Sequence, residues 1–160
     1  MTIFKTLFAL LVVAPSLSAC ALYSPFSNPL DPHSLGDGGV SSFYQADDLA
    51  PAQAGTLLRQ EALTREQSLS GAAHNLRLLY TSTSGLDGKS PEVVSGSLFL
   101  PKGTPPKQGW PLLLWSHGTV GIADRCAPSW TGYVAFHQRH LNHWLNQGYA
   151  IVASDYQGLG

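Results

Sequence analysis

Apolar positions along the chain fall into short runs broken by turn-forming residues, and the spacing within each run predicts its element. Leu76 to Ser82, L-R-L-L-Y-T-S, reads as a strand. The turn Ser84-Gly85-Leu86-Asp87-Gly88-Lys89 follows, and its Asp-Gly pair predicts a hairpin. Val93 to Leu100 supplies the returning strand, with Val93, Ser95, Ser97 and Phe99 on one face and Val94, Gly96, Leu98 and Leu100 on the other. Pro101 ends it, because proline lacks the N–H that a ladder requires. Upstream, Gly55 to Leu63 fits a short helix or an extended lead-in equally well.

Leu112 to Trp115 is apolar on both faces, the pattern of a central parallel strand covered by helices on each side. A helix is predicted over Tyr133 to Gln147, where Val134, Leu141, Trp144 and Leu145 recur at helical spacing before Gly148 stops it. Tyr149 to Ser154 is the next buried strand. An antiparallel hairpin followed by strand, helix, strand predicts the α/β class with a mostly parallel sheet. The Leu112 strand runs directly into His117-Gly118-Thr119, and open α/β sheets bind ligands at the carboxyl ends of their strands. Glycine there admits a substrate close to backbone N–H groups, so the turn suits half of an oxyanion hole. Its bland alternative is a tight strand exit.

Leu78 to Ser84, Val94 to Pro101, Trp110 to Ser129 (with H-G-T followed by C-A-P-S) and Asp155 to Gly160 (D-Y-Q-G-L-G) together resemble the secretory lipase family of α/β-hydrolases. That family includes fungal secreted lipases and many bacterial relatives. The resemblance runs from about Gly55 to Gly160, with the segments in the family's order. It implies an α/β-hydrolase fold and a Ser-His-Asp enzyme acting on carboxylic esters, acylglycerols among them. All three triad residues lie beyond Gly160 in the family's order. No serine in the chain has glycine two residues before and two after, so no G-x-S-x-G elbow is present. The expectation is the N-terminal part of a longer hydrolase, inactive by itself.

In α/β-hydrolases one oxyanion N–H follows the nucleophile and another comes from the loop after the third strand. Thr119 N–H is the leading donor here and Gly118 N–H the second choice. His117 is read as a brace for this loop, since the family's base lies near its C-terminus. Asp124 and Arg125 are expected to pair and pin the loop. Asp155, at a strand's carboxyl end, reads as a turn former bonding the backbone that follows it. His137, His140 and His143 lie at intervals of three and drift around a helix by about 60° each, so they predict a polar face and no metal site. Trp130, Tyr133 and Phe136 could line an acyl pocket but read more simply as core.

Residues 1–19 have one lysine, an apolar stretch from Leu7 to Val13 and small residues before Cys20, the pattern of an export signal. Leu17-Ser18-Ala19-Cys20 resembles the lipobox of bacterial lipoproteins, in which Cys20 is acylated and becomes the mature N-terminus. Ordinary signal cleavage nearby is the rival. Residues 20–45 read as a Pro/Gly-rich tether, with an arm packed across the body as alternative, and 46–160 as the hydrolase portion. The chain's second cysteine, Cys126, is then a disulfide candidate whose partner lies further along the protein. A net charge of −1 with 12% charged residues leaves no basic patch, which argues against nucleic acid. No cofactor is called for.

The reading is an exported bacterial cell-envelope lipase or esterase, held to a membrane through Cys20, with ester or lipid as substrate. Rival readings are a non-enzymatic envelope lipoprotein with a hydrolase-like binding fold, and an α/β-hydrolase acting on peptides or polyesters.

Overall fold

The computed structural model describes residues 39–46 and 53–160. The export signal, the lipobox and most of the tether lie outside the described residues. Five strands form one mixed sheet: β1 (Leu57–Ala62), β2 (Ala72–Thr83), β3 (Pro91–Pro101), β4 (Leu112–Ser116) and β5 (Ala150–Ser154). A short helix, α1 (Pro128–Thr131), and a longer one, α2 (Ala135–Asn146), lie between β4 and β5. The strand order is β1-β2-β3-β5-β4. β1, β2, β3 and β5 pair antiparallel with their neighbours, and β4 pairs parallel with β5. The chain therefore leaves β3 for the sheet edge, makes β4, crosses over through α2 and returns between β3 and β4, as a parallel pair requires.

The β2–β3 hairpin closes as its turn chemistry predicts. Asp87 Oδ1 accepts the N–H groups of Lys89 (2.8 Å) and Ser90 (2.9 Å), and the Ser90 hydroxyl bonds the other carboxylate oxygen. These bonds hold the exposed Asp87 carboxyl below its ordinary pKa. Gly55 to Leu63 resolves as strand, because β1 finds the free edge of β2.

The main core lies between sheet and α2. Leu141 and Leu145 of the helix are buried together with Phe99, Ile151 and Ala153 of the sheet and with Tyr133, whose ring meets Phe99 edge-on. The helix begins two residues later than its pattern suggested. Val134 sits before the first turn and is exposed, so it takes no part in the apolar stripe. A second core joins Phe43 and Tyr44 to Leu79. Residues 39–46 pack against the sheet there, with Phe43 and Tyr44 buried.

Among the described residues β4 is the outermost strand, with Leu113 and Trp115 facing the α2 core while Leu112 and Leu114 are 57% and 72% exposed. A run apolar on both faces identifies a strand suited to two covered sides, and only one side is covered by the described residues.

Gly96 marks the tightest approach within the sheet. A Cβ there would lie 2.7 Å from the Ala153 carbonyl oxygen of β5, with backbone as the obstacle. Overpacking of this kind costs about 1–3 kcal/mol. Gly96→Ala is therefore expected to lower the urea midpoint of the folded chain; an unchanged midpoint would show that β3 and β5 separate more freely than described.

Candidate active site

The loop leaving β4 is fixed from below by a buried charge. Asp155, the residue after β5, is 2% exposed. It does not bond the backbone that follows it, contrary to the turn-forming reading. Its Oδ2 accepts the Ser95 hydroxyl of β3 at 2.6 Å, and its Oδ1 accepts the Ser129 N–H of α1 at 3.2 Å. Its own N–H donates to the Ser95 carbonyl at 2.9 Å. Desolvation raises the Asp155 pKa above its ordinary value, and the bonds from Ser129 and Ser95 oppose that rise only in part.

Ser129 ties this anion to a cation. Its carbonyl accepts Arg77 Nε at 3.0 Å, and its hydroxyl lies 2.8 Å from the Tyr44 hydroxyl. Arg77, 4% exposed on β2, forms an ion pair with Glu61 and donates to Gln67 Oε1 at 3.0 Å. Its guanidinium carbon lies 5.3–5.6 Å from the ring centres of Phe43, Tyr44 and Trp130. Burial pushes the Tyr44 and Tyr133 hydroxyl pKa values up, so both remain protonated donors.

The D-Y-Q-G-L-G segment then folds against the loop. The Gly160 N–H donates to the Asp124 carbonyl at 3.0 Å. Gly160 has φ +92°, and a Cβ there would lie 2.5 Å from the Tyr44 ring and 2.6 Å from Ser95 Oγ, so a side chain has neither the conformation nor the room. Leu159 packs with Cys126, Ala127 and the half-buried Val120 and Trp130. Cys126 is buried.

His117 is 3% exposed, and its Nδ1 lies 2.7 Å from the Gly118 carbonyl. A carbonyl only accepts, so Nδ1 carries the proton. Tyr156 stacks on the His117 ring, centroids 4.2 Å apart, and its hydroxyl donates to the His117 carbonyl. Gly118 and Thr119 are exposed, and neither N–H bonds an acceptor among the described residues. Space beside Gly118 is open to at least 4 Å.

The remaining expectations divide. Asp124 and Arg125 make no ion pair with each other, and Asp124 serves the loop through its carbonyl, which accepts Ala127 and Gly160 N–H groups. His137, His140 and His143 pack on tryptophan: Trp115 contacts His137 and His140, and Trp144 contacts His140 and His143. Among the described residues no cluster of His, Cys, Asp or Glu is suited to a metal ion. Tyr133 is buried core and Trp130 half-buried against Tyr44, whereas Phe136 is 67% exposed and outside the core. Sequence reasoning passed over Ser95, Ser129, Tyr44 and Tyr156. The one available signal was a pair of serines alternating with Phe99 on β3, polar residues on a face that the strand buries.

Two structures of lipase A from Candida antarctica resemble this chain. Each is 21% identical, with TM-scores of 0.51 and 0.53 over 66% and 74% of this chain. The fold is that of an α/β-hydrolase. A rice cell wall degrading esterase, LipA from Xanthomonas oryzae, is 26% identical over 68% of the chain at a TM-score of 0.45. The chain spans 26% and 29% of the two lipase A chains and 31% of the esterase. No family model and no curated protein matches the sequence.

The raised pKa of Asp155 has a definite sign in stability. A carboxyl that holds its proton more tightly folded than unfolded contributes most below its ordinary value of 3.8, and that contribution is lost as pH rises through the folded value. The stability difference between wild type and Asp155→Asn is therefore expected to shift toward the variant as pH rises from about 4 toward neutrality. Urea midpoints of both proteins across that range measure it; a difference that is flat, or that grows in favour of wild type, contradicts the burial account.

Proposed function

We propose that this chain forms the oxyanion-binding end of a serine-type carboxylic ester hydrolase, a lipase or esterase acting on lipid esters. The observation that carries the proposal is the pair of exposed, unbonded amides at Gly118 and Thr119, at the carboxyl end of β4. Ester hydrolysis builds negative charge on a carbonyl oxygen, and preorganised N–H groups stabilise that charge more than they stabilise the ground state. Thr119 N–H is the principal donor in this reading and Gly118 N–H the second. The nucleophile, acid and base come from the segment that follows Gly160 in the full-length protein.

Thr119→Pro deletes the principal donor, and loss of one oxyanion donor typically costs about 10² to 10³ in kcat. In the full-length protein this variant is expected to lose kcat on a short-chain nitrophenyl ester with KM nearly unchanged, while Thr119→Ser keeps wild-type turnover. Equal kcat in wild type and Thr119→Pro would remove the amide from the chemistry.

The enzyme is further proposed to be exported to the bacterial envelope and acylated at Cys20. Among the described residues no helix is long and apolar enough to cross a membrane. Each buried CH₂ of an attached acyl chain contributes about 0.8 kcal/mol, so several chains anchor a protein nearly permanently. One sulfur cannot carry both a lipid thioether and a disulfide. Mass spectrometry of the mature N-terminal peptide is expected to find a lipid adduct on Cys20, and Cys20→Ser to release the protein from membranes. A disulfide at Cys20 in the mature protein would refute the anchor.

A further inference from the structure

We infer that Tyr156 and His117 are positioning residues that together aim the two oxyanion amides, an inference that rests on the ester-hydrolase reading above. The argument is one of peptide geometry. In a trans peptide the C=O of one residue and the N–H of the next lie in one plane and point in opposite directions. Every peptide bond among the described residues is trans.

Fixing a carbonyl therefore fixes the next amide. The Tyr156 hydroxyl donates to the His117 carbonyl, which directs the Gly118 N–H to the opposite side. The His117 Nδ1–H donates to the Gly118 carbonyl at 2.7 Å, which directs the Thr119 N–H away from the ring. Two consecutive peptide planes are thus held, each by one side chain. The two side chains also hold each other, with ring centroids 4.2 Å apart and planes inclined by 31°. His117 Nε2 is buried without a partner among the described residues, so the Nδ1 bond is the ring's polar restraint. Tyr156 in turn follows Asp155, whose bonds to β3 and α1 fix where β5 delivers it.

Gly118 itself offers these planes no side-chain restraint. Nothing lies within 4 Å of where its Cβ would be, so packing does not restrict rotation of the adjoining peptides. The tyrosine and histidine bonds supply the restraint that a side chain at this position would otherwise give.

Tyr156→Phe removes the hydroxyl and keeps the stacked ring. In the full-length enzyme it is expected to lower kcat about tenfold with KM within about twofold, a smaller loss than deleting a donor outright. His117→Leu is expected to lose more, and His117→Asn, whose amide nitrogen stands close to the Nδ1 position, to recover most of that loss. Nitrogen-15 NMR of the ring is expected to show the proton on Nδ1. Full kcat in Tyr156→Phe alongside a large loss in Thr119→Pro overturns this inference and leaves the ester-hydrolase reading standing; full kcat in Thr119→Pro removes both. A ring protonated on Nε2 alone overturns the inference without reference to activity.

Discussion

A carboxylate and a guanidinium are buried on one side of the sheet and joined through a single serine. Asp155 accepts the Ser129 N–H, and the Ser129 carbonyl accepts Arg77 Nε, so the backbone flanking this one residue is polarised between an anion and a cation. Burying either charge without partners costs several kcal/mol, and removing one member of such an arrangement leaves the other stranded. The requirement is met from four places: Ser95 on β3, Glu61 on β1, Gln67 in the β1–β2 connection and the aromatic faces of Phe43, Tyr44 and Trp130. Satisfying the two charges therefore fixes β3, β5, α1 and the segment at residues 39–46 against one another. That fixed frame is what the β4 loop leans on.

Among the described residues β4 is the outermost strand of the sheet. The loop that leaves it is tied at several points along its length. Its start is held by Tyr156, its middle by the Gly160 N–H on the Asp124 carbonyl, and its end by Ser129 and the buried Cys126. The last glycine of D-Y-Q-G-L-G follows from this docking, since at Gly160 a Cβ would collide with Tyr44 and Ser95.

Periodicity made the strands and the long helix legible, because burying Leu141, Leu145, Phe99 and Ile151 on one core leaves a regular trace in sequence. Adjacent-residue signals were legible as well: Asp87-Gly88 for the hairpin and H-G-T after an apolar run for the loop. What failed were readings that needed a distant partner. Asp155 was read locally as a turn former, yet its partners are 60 and 26 residues away in Ser95 and Ser129. Asp124 beside Arg125 invited an ion pair, but neighbours in sequence need not face each other, and the Asp124 carbonyl does the bonding. Tyr44 lay in a stretch whose prolines and glycines suggested solvent, and only the tertiary pocket beside Arg77 explains its burial.

In the proposed ester hydrolase the value of such a frame lies in when its cost is met. A free peptide must reorient as charge appears on a substrate oxygen, and that reorganisation adds to the barrier. A peptide already turned makes no such demand, which is why preorganised donors outperform water at the same distance. Here the turning is done during folding, by bonds whose donors sit on β5's end and on the loop itself. A stacked Tyr156 and His117 cannot relax independently, so loosening one loosens both amides. In the proposed hydrolase the two buried charges reach the reacting carbonyl only indirectly: they fix β5, β5 delivers Tyr156, and Tyr156 with His117 turns two backbone planes outward. The bonds that join Asp155 to Ser95 and Ser129, and Tyr156 to His117, connect residues far apart in the chain, and a site built this way is as rigid as the core beneath it.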